Sequence, residues 1–331
     1  MTIRLILGFF LAYFLAIVGT PMARDAALRF GVVDKPDGDL KNHEEPVAYL
    51  GGLAVFAAFL LSIGMTFEFD AELLALLLAS TIVTTVGLID DFGALTPKPK
   101  AVGQVVAVFV LLKAGIMIEV AIIPWWVRIL ITILWLVGMS NAFNLADIMD
   151  GLASGLGVIA ATFLLVVALL NGRWVVAAFT VALIGALLGF LKSNFYPATI
   201  YLGDCGSLFI GLTLGALAMV MDYTTYNPLG WLAPLYILAV PLIDTAYVIV
   251  LRLKSGRKVY YGSPDHFPLR VRKTLDGWTA GTVVVSYAVA VVFGALGLVI
   301  LFLDPMSTMI LTAVVGVVTL GLLVWLATVP M

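Results

Sequence analysis

The sequence is short of charge, of histidine and of cysteine. Only 11% of its 331 residues are Asp, Glu, Lys or Arg, against 63% hydrophobic, and the mean hydropathy is +1.14. No water-soluble domain carries so little charge, so the chain reads as an integral membrane protein. The one cysteine, Cys205, excludes an internal disulfide, and the two histidines, His43 and His266, lie too far apart in sequence to suggest a zinc centre. A net charge of −2, with no basic face to follow phosphates, argues against a nucleic-acid partner. Any metal site must then be built from carboxylates and amides, ligands suited to a hard cation such as magnesium.

Long apolar runs are what the chain has in quantity. Eleven of them fall between turn and charge signals, near 3–20, 47–66, 71–89, 101–120, 128–144, 153–170, 173–191, 206–221, 231–252, 279–302 and 308–328. At about 20 residues per span they take up about 220 residues and leave too few for a separate soluble domain. The expectation is an all-α polytopic membrane helix bundle, a single integral membrane domain over 1–331. The first run is read as a retained span, because Arg24 and Arg29 follow the apolar stretch instead of preceding it. Alternating the connections puts fourteen of the eighteen Lys and Arg residues on one side, and only Arg4, Arg128 and Arg173 on the other. The positive-inside rule makes the richer side cytoplasmic, with the N-terminus outside and the C-terminus cytoplasmic.

Residues able to do chemistry collect on that cytoplasmic side. Asp90-Asp91 ends the third span, where neighbouring carboxylates repel unless a cation or proton separates them, and Lys98 and Lys100 follow. An isolated acid pair more often just ends a span, and basic residues flanking a span are ordinary topology signals. Asn141, Asn144, Asp147 and Asp150-Gly151 recur at a spacing of three, which turns about 60° per step, so Asn144 and Asp147 can act together while Asp150 belongs beyond the helix end. Each Asp held in lipid would cost about 3 kcal/mol, so this segment must face a polar cavity or the aqueous boundary. Gly203-Asp204-Cys205-Gly206-Ser207 reads as a loop entering a helix, where glycines allow close approach to a phosphate and Asp204 can hold a cation. A simple N-capped turn explains that string equally well. In the ninth span Pro241 bends the helix and Asp244 is an intramembrane acid, as suited to pairing with a neighbouring helix as to function. Lys113 reads as a snorkelling side chain.

Taken in order, these strings resemble the polyprenyl-phosphate N-acetylhexosamine-1-phosphate transferase superfamily. The resemblance runs from about Asp34 to Arg272. It covers Val33-Asp34-Lys35-Pro36, His43, Pro46, Gly51-Gly52, Asp90-Asp91, Lys100, Gln104, Asn141-Ala142-Phe143-Asn144, Asp147, Asp150-Gly151, Gly203-Asp204, Gly206-Ser207, Pro241 with Asp244, and Asp265-His266. Two strings depart from the pattern. Asp147-Ile148 stands where many members have Asp-Gly, and a single His266 stands where the family usually carries His-x-His-His. The pentapeptide translocases keep the three histidines, so the chain is more similar to the GlcNAc-1-phosphate transferase branch.

The resemblance implies transfer of an N-acetylhexosamine-1-phosphate from a UDP-sugar to a polyprenyl (undecaprenyl) phosphate at the cytoplasmic membrane face, with release of UMP and start of a lipid-linked glycan. It implies Mg²⁺, with Mn²⁺ as a substitute, held by Asp204 and Asn144. Asp90, Asp91 and Lys100 would handle the lipid phosphate, and Asp147 and Asp150 would shape the nucleotide pocket. Asn141, Asn144, Gly203, Gly206, Ser207, His266 and Arg270 would contact substrate. The sequence is compatible with a homodimer and leaves the hexosamine unspecified. A secondary transporter is the competing class, since it would also use an intramembrane acid and a broken helix. Transporters set coupling sites near the midplane and repeat their halves, whereas the acids here gather at one face and no repeat is evident.

Overall fold

The computed structural model describes residues 1–34, 47–68, 71–93, 95–119, 123–256 and 265–330. Lys35, Pro36, His43 and Pro46 of the first motif, and Ser263-Pro264 of the last loop, lie outside the described residues. The elements are α1 (Thr2–Phe30), β1 (Val33–Asp34), β2 (Val47–Ala48), α2 (Gly51–Thr66), α3 (Ala71–Asp91), α4 (Pro97–Lys113), α5 (Trp125–Ala146), α6 (Leu152–Leu170), α7 (Trp174–Asn194), α8 (Gly203–Met219), α9 (Ala233–Ile237), α10 (Ala239–Lys254), α11 (Phe267–Thr274), α12 (Thr279–Ile300) and α13 (Pro305–Ala327). Among the described residues seven helices are long and apolar enough to cross a membrane. The stretch Gly230–Ile237 and α10, bent by 74°, would together make an eighth. The protein is therefore an all-α, multi-pass membrane protein. Each of the eleven apolar runs coincides with helix, and several boundaries move. The fourth run begins earlier, at Pro97, and ends at Lys113, which thus occupies the last turn, where its charge complements the helix dipole.

The chain divides into two compact units, Met1–Met221 and Asp222–Met331. In the first, α8 is the core helix, buried along almost its whole length and packed by α2, α3, α5 and α6. Lipid offers little hydrophobic drive for helix association, so close backbone approach through small residues supplies the packing. A Cβ added at Gly87 of α3 would lie 2.5 Å from the Asp204 backbone, and one at Gly52 of α2 would overlap the backbone of Gly206. These approaches bring α2 and α3 onto the N-terminal turn of α8.

The non-helical backbone entering α8 is paired, as buried amides and carbonyls must be. β1 and β2 are antiparallel, and Ala48 bridges to Ile200 in parallel. The Tyr201 amide donates to the Ala48 carbonyl at 2.8 Å. In return the Gly51 and Gly52 amides, at the otherwise unsatisfied start of α2, donate to the Tyr201 and Leu202 carbonyls at 3.0 and 2.8 Å. The Gly51-Gly52 string is thereby explained by structure: two helix-start amides and one tight crossing.

In the second unit the bend between α9 and α10 falls at Leu238, three residues before Pro241. Pro241 sits in the first turn of α10, where its missing N–H costs nothing. The bend expected at the proline is thus displaced upstream. α11 was not anticipated. It is a short helix whose first turn holds Pro268 and whose last turn holds Arg272 and Lys273.

Candidate active site

Four helices of the first unit bring their polar residues to the start of α8. Lys100 projects from the first turns of α4, and its Nζ reaches three oxygens on three other helices. It donates to Asp90 Oδ2 of α3 at 2.9 Å, to Asn144 Oδ1 of α5 at 3.2 Å and to Asp204 Oδ2 of α8. Asn144 completes the ring, because its Nδ2 donates to Asp204 Oδ1 at 2.8 Å and to Ser207 Oγ at 3.0 Å. Ser207 Oγ in turn donates to the Gly203 carbonyl at 3.0 Å. Asn141, one turn before Asn144, donates to Gln104 Oε1 at 3.0 Å. Gln104 lies one helical turn beyond Lys100, on the same face.

The two carboxylates of the Asp90-Asp91 pair are used differently. Asp90 faces Lys100. Asp91 accepts the Asp204 amide on Oδ1 at 2.7 Å and the Cys205 amide on Oδ2 at 3.1 Å. It acts as an N-cap for α8 supplied from a residue 113 positions away, satisfying two amides that a helix leaves free and adding negative charge at the positive end of its dipole. The amides expected to meet a phosphate at this helix start are donated to Asp91. Gly203 has φ +73°, and a Cβ there would lie 2.8 Å from an Asp91 oxygen, so only glycine lets the chain turn so close to that carboxylate.

Asp147 and Asp150 occupy the turn after α5. The helix ends at Ala146, so Asp147 is its C-cap residue and leaves the α5 face that carries Asn141 and Asn144. Its carboxylate accepts the Gly203 amide, which ties the end of α5 to the start of α8. Burial, followed by the nearby Asp204, Asp91 and Asp150 charges, pushes Asp147 well above the ordinary carboxylate range. Asp150 accepts the Ala198 amide on Oδ2 at 2.8 Å and so anchors the segment leading to α8.

Two tyrosines that had no part in the sequence argument border these acids. Tyr49 bonds to Asp34 and its ring lies 5.8 Å from that of Tyr201. Burial first, then repulsion from Asp150, Asp34 and Asp147, pushes the Tyr201 phenol up to about 12. Neither tyrosine had a local signal, since each reaches the acids through the β-bridge at Ala48 and Ile200. Gln104 did have one, its four-residue step from Lys100.

His266 and Arg270 belong to the second unit. His266 Nδ1 lies 2.6 Å from Asp244 Oδ2, with both side chains 3% exposed, and Asp244 Oδ1 accepts the Phe267 amide at 2.9 Å. Arg270 donates from Nη2 to Asp265 at 3.0 Å and from Nη1 to the Leu326 and Val329 carbonyls at 3.2 and 2.6 Å. Asp244 therefore pairs within its unit, with a loop histidine and the start of α11.

The donor atoms around Lys100 are all oxygens, two from carboxylates and one from an amide. Among the described residues no group of three or more His, Cys, Asp or Glu is gathered to hold a metal. The pattern of glycosyl transferase family 4 matches residues 73–222, the stretch that supplies α3, α4, α5 and α8. A probable undecaprenyl-phosphate N-acetylglucosaminyl 1-phosphate transferase of Bacillus subtilis (strain 168) is 30% identical over 310 residues, covering 90% of this chain and 85% of the relative. The chain belongs to glycosyl transferase family 4. This membership makes it a glycosyl-1-phosphate transferase of the cell membrane and sets the transporter reading aside. A decaprenyl-phosphate N-acetylglucosaminephosphotransferase of Mycolicibacterium smegmatis is 32% identical over 91% of this chain and 83% of its own length. A phospho-N-acetylmuramoyl-pentapeptide-transferase of Halalkalibacterium halodurans is 33% identical over 86% and 92%. Overall identity therefore does not separate the two branches of the family; the single His266 remains the residue-level distinction.

Proposed function

We propose that this transferase moves an N-acetylhexosamine-1-phosphate from a UDP-sugar to a polyprenyl phosphate and releases UMP. A lipid phosphate oxygen attacks the phosphorus that carries the sugar, the bond to the UMP phosphate breaks, and the pyrophosphate linkage is conserved. The observation that carries this reading is the convergence of Asp90, Asn144, Asp204 and Lys100 from four helices on one point. Two anionic phosphates can meet only where cationic groups offset their repulsion, and Lys100 is a cation built into that point.

Asp204, Asn144 and Asp90 fit a hard divalent cation, Mg²⁺ or Mn²⁺, by their all-oxygen donor set. Such an ion, when bound, neutralises phosphate charge and polarises the P–O bonds. Asp90, turned toward Lys100, would orient the lipid phosphate. No proton need be removed, because a phosphate monoester with a second pKa near 6 is largely dianionic at neutral pH. Asp91 is proposed to hold the start of α8 in register instead of touching the lipid. Asp147, Asp150 and Asn141 would line the nucleotide side, with Gly203, Gly206 and Ser207 forming the wall from which Asp204 projects. His266 and Arg270 are given a holding role within their own unit, in place of direct sugar contact. We also propose that all eleven apolar segments span the bilayer, with the N-terminus outside and this site toward the cytoplasm, as the distribution of Lys and Arg favours.

The test uses purified protein in detergent with undecaprenyl phosphate, Mg²⁺ and a panel of labelled UDP-N-acetylhexosamines. One member of the panel is expected to yield lipid-linked product and UMP in equal amounts. Failure with every sugar, while a relative works alongside, would refute the reading.

A further inference from the structure

The Lys100 ammonium does more than sit beside an acidic cluster. It has three N–H donors, and all three are directed at oxygens: Asp90 Oδ2, Asn144 Oδ1 and Asp204 Oδ2, from α3, α5 and α8 respectively. Its side chain is only 15% exposed, so bulk water does not share this coordination to any large extent. These are the oxygens that the proposed function assigns to a divalent cation. An ammonium and a divalent ion gathered on the same three oxygens compete, because their like charges repel at close range and each draws on the same acceptors.

We infer that Lys100 is an internal competitor for the metal: it occupies the cation position while the site is metal-free and must leave the shared oxygens when the divalent ion binds. The inference rests on the metal reading above. It goes beyond it by assigning Lys100 two positions and by setting a direction for metal affinity. Without the ammonium, Asp90 and Asp204 would be left in contact with only a shared proton between them to offset their repulsion. With it, α3, α4, α5 and α8 are held in the arrangement the reaction needs before any metal arrives. On metal binding the ammonium is released beside the site, attached to the first turns of α4, where a phosphate is the natural new partner. The same exchange keeps the acids from becoming a permanent chelator, since every metal ion bound must displace a tethered cation.

Manganese binding to purified protein without either substrate, read by electron paramagnetic resonance, tests this in wild type and in Lys100→Met. Removing a competing charge at contact distance should tighten Mn²⁺ binding about tenfold or more, even though turnover falls. Equal or weaker binding in Lys100→Met would overturn the competition and leave the metal reading standing, whereas no Mn²⁺ binding in either protein would remove the metal reading itself. A second measurement needs no variant. In wild-type protein, Mg²⁺ should increase the acetylation of Lys100 by an amine-reactive ester, relative to Lys192 and Lys254, as followed by mass spectrometry. Unchanged or slower labelling of Lys100 on adding Mg²⁺ would show that the ammonium does not leave its oxygens, and would overturn the proposal.

Discussion

Two of the polar clusters among the described residues, one in each compact unit, are built on opposite plans. In the first unit five carboxylates, Asp90, Asp91, Asp147, Asp150 and Asp204, gather around the start of α8, and one ammonium, Lys100, bonds to two of them. In the second unit each acid has its own partner, Asp244 with His266 and Asp265 with Arg270. Exposure differs in the same sense, since Asp90 and Asp204 keep 20% and 31% of their side-chain surface while Asp244 and His266 keep 3% each. Excess charge and more exposed oxygens suit a ligand; closed, paired groups suit the holding of segments together. Four substitutions test that contrast.

The largest effect should come from the two halves of the Asp90-Asp91 pair, which the geometry separates. Asp90→Asn should lower turnover by about 100-fold or more with little change in melting temperature, because its carboxylate pairs with Lys100 at the proposed reaction centre. Asp91→Ala leaves the Asp204 and Cys205 amides without acceptors and should cost about 2–4 kcal/mol of stability, with activity lost as a consequence. Matched assays and thermal melts in detergent decide it; equal melting temperatures for the two variants would erase the distinction.

The closed cluster should respond in stability first. His266→Ala strands a buried carboxylate and should cost about 3 kcal/mol. In the surviving folded protein, the KM for the nucleotide sugar should stay near wild type. A large rise in KM with an unchanged melting temperature would return His266 to the substrate and break the comparison.

The smallest effect concerns Asp147. Its folded-state pKa is raised above the unfolded one, so the folded state holds the proton longer. Stability is therefore greatest below the ordinary carboxylate pKa and falls as pH rises, until the folded pKa has been passed. Asp147→Asn keeps an oxygen for the Gly203 amide and has no proton to lose. It should melt about 2 °C higher at neutral pH, with the advantage vanishing in acid. A variant less stable than wild type at neutral pH would mean that a cation already neutralises this site.

Much of the first cluster was legible before any coordinates. Asp90, Lys100, Asn144 and Asp204 were reached through the order of their strings and the family these resemble, since the acid pair and the flanking lysine taken alone read as an ordinary span end. Their division of labour was not legible. Asp90 and Asp91 are adjacent in sequence, yet successive helix positions point about 100° apart, so one meets Lys100 and the other the amides of α8. The glycines of the Gly203–Ser207 string read as phosphate-approach residues, and the close contact of Gly206 is with α2. Tyr49 and Tyr201 carried no local signal, because a β-bridge between distant segments brings them together.

The sequence by itself determined that this is a multi-pass membrane protein and which strings of polar residues interrupt its apolar runs. Both follow from composition and from the cost of burying charge, properties that do not depend on how helices pack. Only the tertiary structure decided which oxygens surround Lys100, which carboxylate caps a helix and that His266 is closed off against Asp244. The helix cap depends on which helix faces which, set by glycine-mediated contacts between residues more than 100 positions apart, and the closing of His266 depends on a loop folding back onto its own unit.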